Sequence, residues 1–234
     1  MKRFRGRAGT GRACRFGSWL TMLCAGCNRD VGACAAGAGG FGWGMRITGG
    51  NARGIPLRVP KGDATRPAMD RLRQSVFSSL GPRAVGVRFV DLFAGSGSYG
   101  LEAWSRGAEC GTFVEQGREA LDCLRVNLAA VAKSLQVDAA ACVVTKADAL
   151  TWAPADGARA GLVFADPPYA MIQAQPGRFF EQFDRLLVAG GDGLVVFEMP
   201  GELQLSQPGW ELIKRLGGGP REASACFYRR VAAA

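Results

Sequence analysis

Histidine is absent from this chain of 234 residues. Its absence excludes histidine-dependent catalytic triads, imidazole general bases and the common metal sites that use histidine ligands. Long apolar runs are missing as well, since no stretch reaches the roughly 18 consecutive apolar residues of a membrane-spanning helix. Apolar residues still make up 48% of the chain, which is enough to build a buried core. We therefore expect a folded protein that has no membrane partner.

Acidic residues are scarce at the start of the chain. Residues 1–44 contain seven lysines and arginines but one acid, Asp30, and much of the net charge of +9 lies there. Residues 45–73 add seven further basic residues against two acids. A basic arm ahead of a nearly neutral remainder is typical of proteins that bind a polyanion, most often nucleic acid. A solvated charged surface is the alternative that composition alone leaves open.

Residues that could bind a metal are also few. Cys24 and Cys27 form a C-x2-C pair, but their spacing to Cys14 and Cys34 provides no second half of a zinc site. We therefore predict no bound metal. The other cysteines are dispersed in apolar surroundings, which predicts buried free thiols in a reducing compartment, the cytoplasm. These are Cys110, Cys123, Cys142 and Cys226.

Composition divides the chain into three parts. Residues 1–44 are rich in glycine and have no amphipathic period, so we predict a disordered extension or a misplaced start, with ordered sequence from Met45. Residues 45–80 are predicted to form an extended basic arm and a helix over 68–80. This helix is expected to expose Asp70, Arg71 and Arg73 and to bury Val76 among its apolar residues. Residues 81–234 are predicted to form the main domain.

Strand-like and helix-like segments alternate after residue 80. Strands are predicted over 87–92, 111–115, 141–145, 162–165 and 193–198, with helices over 99–106, 118–134 and 179–188 between them. Two later segments, 211–216 and 224–230, are predicted to pair antiparallel. This order is typical of an α/β domain with a mostly parallel sheet and helices on both faces. No internal repeat interrupts it.

A glycine-rich loop follows the first strand of this domain, in the sequence D-L-F-A-G-S-G-S-Y-G. Its glycines match G-x-G-x-x-G, a pattern that lets the backbone approach a ligand at the N-terminus of a helix. Glu115 ends the next strand, 24 residues after Asp91, where Rossmann-like sites place the acid that binds ribose hydroxyls. Asp148 follows the third strand at the same edge and is predicted to reach an adenine amino group.

A second motif, D-P-P-Y, follows the fourth strand and comprises Asp166, Pro167, Pro168 and Tyr169. The prolines stiffen the loop, and because neither has an N–H their carbonyls stay available as acceptors. Asp166 can accept a second hydrogen bond, and the Tyr169 ring can stack on a planar group. The motif therefore predicts a site that holds an exocyclic amine with its lone pair aimed at an electrophile.

These motifs together resemble the class I S-adenosylmethionine-dependent methyltransferases that modify amino groups. The segments M-R-I-T-G-G-N-A-R-G-I-P-L, from residue 45, and T-R-P-A-M-D-R-L-R-Q-S-V-F, from residue 65, narrow the resemblance to the RsmD family. Enzymes of that family methylate the exocyclic N2 of a guanine in bacterial 16S ribosomal RNA. The resemblance spans residues 45–230. Ser98, Tyr99 and Ala165 depart from the residue types expected at their positions.

The resemblance implies a Rossmann-like fold, S-adenosylmethionine as cofactor, and small-subunit ribosomal RNA or the assembling subunit as partner of a monomer. The implied cofactor-binding residues are Asp91, Ala94, Gly95, Gly97, Gly100, Glu115 and Asp148. The implied residues around the target guanine are Asp166, Pro167, Pro168 and Tyr169. The implied contacts to RNA phosphates are Arg46, Arg53, Arg66 and Arg71.

Two alternative functions remain open from the sequence. The D-P-P-Y motif also occurs in DNA adenine and cytosine methyltransferases, although these normally carry a separate domain that reads base sequence, for which residues 45–234 leave little room. A ribosome assembly factor that binds RNA without catalysis is the other alternative. It would need neither Asp166 nor a complete glycine-rich loop.

Overall fold

A computed structural model describes residues 42–61, 67–189, 192–219 and 222–231. Within them, a two-stranded antiparallel sheet precedes a seven-stranded sheet that is flanked by helices. The strands are β1 Gly42–Arg46, β2 Pro56–Val59, β3 Arg88–Leu92, β4 Cys110–Glu115, β5 Cys142–Lys146, β6 Leu162–Ala165, β7 Leu194–Pro200, β8 Trp210–Gly217 and β9 Ala223–Arg230. The helices are α1 Pro67–Leu80, α2 Ser98–Ser105, α3 Arg118–Leu135, α4 Tyr169–Ala174 and α5 Pro176–Leu186.

The large sheet has the strand order β5-β4-β3-β6-β7-β9-β8. Strands β3 to β7 are parallel to one another, whereas β9 pairs antiparallel with both β7 and β8. The chain moves outwards from β3 through β4 to β5 and then returns to place β6 on the other side of β3. The predicted α/β fold, mostly parallel with an antiparallel last strand, is confirmed.

Two hydrophobic clusters pack against the two faces of this sheet. One contains Phe77 of α1 and Phe164 of β6, and the other contains Phe183 of α5 and Phe197 of β7. Strand β6 is buried along its whole length, because helices cover it on both sides. A strand buried on both faces needs an uninterrupted apolar sequence. This pattern explains why β6 could be predicted from the sequence.

Strands β1 and β2 anchor the basic arm to the main domain. The buried carboxylate of Glu102 in α2 accepts hydrogen bonds from the Thr48 N–H and the Thr48 hydroxyl, each at 2.7 Å. On the other side of the arm, the Asn127 side chain accepts from the Arg58 N–H and donates to the Arg58 carbonyl. The arm is therefore held in place, and its arginines have defined positions.

Helix α1 departs from the prediction most at Arg73, while Asp70, also expected to be exposed, is half-buried. Arg73 was expected on the exposed side of the helix, but its side chain is only 2% exposed. Its guanidinium donates to the Arg46 carbonyl at 2.6 Å and to Asp70 at 3.0 Å, and it lies 3.6 Å from Glu102. Nearby carboxylates and carbonyls stabilise a buried cation, and one nitrogen of this guanidinium has both, whereas its buried Nε has no hydrogen-bond partner among the described residues.

Several predictions fall on residues outside the described ranges. These include the nature of residues 1–41, the C-x2-C pair at Cys24 and Cys27, and the position of Arg66. Strand β1 begins at Gly42, three residues before Met45, so regular structure extends slightly into the segment that composition set apart. The division at residue 45 stays a prediction. Cys142 and Cys226 are buried thiols as expected, whereas Cys110 is half-buried.

Candidate active site

The carboxyl ends of the parallel strands bring four acidic side chains to one edge of the sheet. Asp91 lies in β3, Glu115 ends β4, Asp166 follows β6 and Glu198 lies near the end of β7. The reversal of strand order falls between β3 and β6, and open α/β sheets bind ligands at such a switch point. Three of these acids were predicted from the sequence, whereas Glu198 was not.

The glycine-rich loop connects β3 to α2, and two of its glycines have separate reasons to be glycine. Gly95 has a φ of +54°, and a Cβ there would point into open space, with its nearest neighbour 4.0 Å away. The backbone can thus present its surface to a ligand. A Cβ at Gly100 would instead lie 2.3 Å from the Phe113 ring, so this residue lets α2 pack closely on the sheet.

Two carboxylates hold the loop in this conformation. Asp91 is buried and accepts a hydrogen bond from the Gly100 N–H at 2.8 Å. Glu115 accepts from the Gly95 N–H at 2.8 Å through one oxygen, and from the N–H groups of Gln116 and Gly117 through the other. Burial raises the pKa of Asp91 to about 8, and the charge of Glu115 adds to the rise while the Gly100 hydrogen bond opposes it.

A cavity of about 980 Å³ opens at this edge of the sheet. Glu115 lines it on one side, and the whole D-P-P-Y motif lines it on the other. The wall near Glu115 is largely apolar and includes Phe93, Val114, Ala147 and Ala149. The structure thus brings the predicted ribose acid and the predicted target-binding motif to one cavity.

The remaining predicted cofactor residues lie elsewhere. The buried Asp91, Ala94, Gly97 and Gly100 are not part of the cavity wall, and neither is the half-buried Gly95. They belong to the glycine-rich segment itself and determine its shape. Asp148 is exposed, and its carboxylate accepts from the Leu150 N–H at 2.9 Å, although both of its chain neighbours line the cavity. The adenine contact of Asp148 stays a prediction.

Asp166 and Glu198 form a carboxylate pair in the cavity wall. Ala165 and Phe197 are partners in the β6–β7 ladder, so the next residue of each strand brings these two acids side by side. Burial, followed by the charge of Glu198, raises the pKa of Asp166 well above its ordinary value. Burial also raises the pKa of Glu198, against the opposing effects of a hydrogen bond from Tyr99 and the charge of Arg73.

Tyr99 explains one departure from the expected glycine-loop sequence. Its hydroxyl donates to Glu198 Oε2 at 2.7 Å, and its ring stacks on Phe164 with a centroid distance of 5.4 Å. A small or aliphatic residue could not supply this donor. The sequence does contain a signal for Glu198. It is an acid near the end of the predicted strand over 193–198, which places it at the same edge of the sheet as Asp166.

The sequence and the fold are similar to those of several known proteins. The family described as "Conserved hypothetical protein 95" matches residues 45–224. This chain belongs to that family. The sequence is 32% identical over 171 residues to "Putative rRNA methyltransferase YlbH" of Bacillus subtilis (strain 168), covering 72% of this chain and 90% of that protein.

Other relatives of this chain have similar names. The chain is 38% identical over 125 residues to "Ribosomal RNA small subunit methyltransferase D" of Escherichia coli (strain K12), covering 53% of this chain and 60% of that protein. The solved structure of "Putative methyltransferase yhhF" from Escherichia coli matches with a TM-score of 0.65 at 31% identity, covering 81% of this chain and 99% of that chain. The predicted family is confirmed.

Three of the four arginines predicted to bind RNA lie together in this family member. Arg46, Arg53 and Arg71 are exposed and line a hollow of about 390 Å³ beside the main cavity. Arg71 lines both, so it connects the basic surface to the D-P-P-Y motif. Asp70 also lines the hollow and offsets part of its positive charge.

Among the described residues, no helix is both long and apolar enough to cross a bilayer. In those ranges, histidine, cysteine, aspartate and glutamate also form no group of three or more that could hold a metal ion.

Proposed function

We propose that this protein is an S-adenosylmethionine-dependent methyltransferase that modifies the exocyclic N2 of a guanine in small-subunit ribosomal RNA. The observation that carries the proposal is the single cavity that has Glu115 on one side and the D-P-P-Y motif on the other. The names of the family relatives support methylation of ribosomal RNA. The choice of guanine N2 rests on the resemblance of residues 45–230 to the RsmD family.

The residues at the Glu115 end of the cavity fit a nucleoside cofactor. Glu115 has acceptor capacity for ribose hydroxyls beyond its backbone contacts, since a carboxylate can accept about four hydrogen bonds. Phe93 and Val114 offer an apolar wall of the cavity for a flat ring. When bound, S-adenosylmethionine supplies a methyl group already activated on a sulfonium, so the protein contributes position and electrostatics.

The residues at the other end fit an amine substrate. Asp166 accepts an N2–H of the guanine, the Pro167 carbonyl can accept the second, and the Tyr169 ring faces the base. Hydrogen bonds to both N–H groups favour a pyramidal nitrogen with its lone pair free for attack. When N2 gains the methyl group it must lose one proton, and a carboxylate oxygen of Asp166 takes it. Burial raises the pKa of Asp166, and a more basic carboxylate is a better proton acceptor.

The substrate must bring an unpaired base into this cavity. Enzymes that modify a base in RNA act on loops or on nucleotides rotated out of a helix. Arg46, Arg53 and Arg71 lie where phosphates that flank such a nucleotide would pass, next to the cavity mouth. This basic surface contributes affinity, and the cavity selects the base.

The test is methyl transfer to ribosomal RNA isolated from cells that lack the enzyme. Purified protein and labelled S-adenosylmethionine are incubated with naked 16S RNA, with small subunits and with DNA, and the modified nucleosides are mapped by mass spectrometry. We expect N2-methylguanine at one position in the RNA. Asp166→Ala is the matched negative control. Methylated adenine or cytosine in DNA, or RNA binding without any methyl transfer, would refute the proposal.

A further inference from the structure

Asp166 and Glu198 provide two neighbouring acceptors to the cavity. They follow the paired residues Ala165 and Phe197, and both project from the face of the sheet that carries Phe164 and is covered by α1 and α2. Neighbouring strands in a sheet are about 4.8 Å apart, so the two carboxylates are close enough to contact one small planar molecule together.

Glu198 has a fixed orientation in this pair. Its side chain is 6% exposed, yet it lines the cavity, so the part that reaches solvent is the part that faces a ligand. Tyr99 donates to Oε2, and the stacking of its ring on Phe164 restricts its movement. Tyr99 and the charge of Arg73 stabilise this buried carboxylate in part, and a further hydrogen-bond donor from a ligand would stabilise it more. Its environment therefore favours a ligand with an N–H at this position.

Guanine has the matching pattern of donors. Its N1–H and N2–H groups are adjacent on the Watson–Crick edge, whereas adenine and cytosine present a ring nitrogen that accepts hydrogen bonds beside their amino group. An acceptor opposite that ring nitrogen would meet a lone pair and repel it. Two adjacent carboxylates are thus complementary to guanine and are poorly matched to the other amino bases.

We propose that Glu198 is a specificity-determining residue, which accepts the N1–H of the target guanine while Asp166 accepts an N2–H. Tyr99 is a positioning residue that holds the Glu198 carboxylate. This inference rests on the proposed function and extends it, because it explains how a D-P-P-Y site selects guanine from other amino bases. Burial of the pair raises the pKa of both acids, which is consistent with a site completed by donors from the ligand.

The test replaces the N1–H of the substrate. A synthetic RNA segment carrying either guanine or 2-aminopurine at the mapped position is ligated into small-subunit ribosomal RNA, and kcat/KM is measured for each. 2-Aminopurine keeps the N2 amine but has an acceptor at N1. We expect the wild-type protein to prefer guanine by about 10- to 100-fold, the scale at which a polar site rejects a mismatched base.

Glu198→Gln then tests whether this residue produces the preference. The glutamine keeps the shape and can donate from its amide to the N1 of 2-aminopurine, so the preference for guanine should shrink by about 10-fold or more. Glu211→Gln is the matched control, because Glu211 lies in an exposed ion pair with Arg229 on β8 and should leave the ratio unchanged. Binding of S-adenosylhomocysteine, measured by calorimetry, establishes that each variant is folded.

Each outcome decides a different point. An equal loss on both bases in Glu198→Gln would show that Glu198 has only a structural role. Equal use of guanine and 2-aminopurine by the wild-type protein would overturn the assignment even if the variant failed to fold. Methyl transfer by the wild-type protein to neither RNA would instead refute the proposed function, and this inference with it.

Discussion

Replacement of Glu115 by alanine should affect both the stability of the protein and its affinity for the cofactor. One carboxylate oxygen accepts the Gly95 N–H at 2.8 Å, which ties the glycine-rich loop to the end of β4. The other accepts the N–H groups of Gln116 at 2.9 Å and Gly117 at 2.6 Å, at the start of α3. The same side chain is proposed to bind the ribose. Loss of the carboxylate therefore removes contacts to the glycine-rich loop and to the start of α3, together with the proposed contact to the ribose.

The structure sets the size of the two effects. A hydrogen bond to a charged group contributes about 1.5–3 kcal/mol. Gln116 is exposed, so water can replace its lost acceptor, whereas Gly95 and Gly117 are half-buried. We therefore expect the free energy of unfolding to fall by about 2–3 kcal/mol, less than three full contacts would contribute. Loss of the ribose acceptor should weaken cofactor binding by roughly 10- to 150-fold.

Urea unfolding without ligand and calorimetric titration with S-adenosylhomocysteine measure these effects separately. Glu115→Gln keeps one acceptor oxygen and should fall between the wild-type protein and the alanine variant in both assays. Glu109→Ala is the matched control, because Glu109 is exposed and precedes the opposite end of the same strand. Unchanged stability and unchanged affinity in Glu115→Ala would refute both the loop contact and the ribose assignment.

Three further predictions concern chemistry, pH and RNA. Asp166→Ala should lower the single-turnover rate of methyl transfer by about 100-fold or more, with little change in cofactor affinity. Asp166→Asn should retain more activity than the alanine variant. A near-normal rate in the alanine variant would contradict the catalytic role of Asp166. Burial raises the pKa of Asp91 from 3.8 to about 8, so the unfolded chain releases this proton first. The stability of the unliganded protein should therefore fall as pH rises from about 4 to about 8, by up to about 1.4 kcal/mol per pH unit from this group. Asp91→Asn should flatten that profile in urea titrations, and a slope equal to that of the wild-type protein would count against the buried acid. Arg53→Ala should weaken RNA binding and leave cofactor affinity unchanged. The slope of the logarithm of the RNA-binding constant against the logarithm of the salt concentration should become smaller by about 1. A slope identical to the wild-type value would remove Arg53 from the RNA interface.

Local sequence was sufficient to predict the strands of the large sheet and most of its helices in order, although α4 was not predicted. Strand β6 occupies the predicted residues 162–165, and α3 begins at the predicted Arg118. Both predictions depend on the spacing of apolar residues and on nearby glycine and proline, which act over a few residues. The loop after β3 and the D-P-P-Y motif were identified for the same reason. Their meeting in one cavity followed from the rule that parallel strands share a carboxyl edge.

The partners of charged side chains required the tertiary structure. Arg71 and Arg73 are two positions apart, which places them on different faces of a helix, yet both were predicted to be exposed. Arg73 is buried because Glu102 and the Arg46 carbonyl, distant in sequence, meet it there. No helical pattern contains that information.

Glu198 illustrates the same limit at the candidate site. In sequence it is one acid near the end of an apolar strand, and this position predicts only that it lies at the same edge of the sheet as Asp166. Its role depends on the register of β6 with β7, which sets it beside Asp166, and on Tyr99, which donates to it from α2. Burial and hydrogen bonding between distant residues are properties of the packed chain. For this reason the sequence identified the motifs, whereas only the fold decided which acids act together.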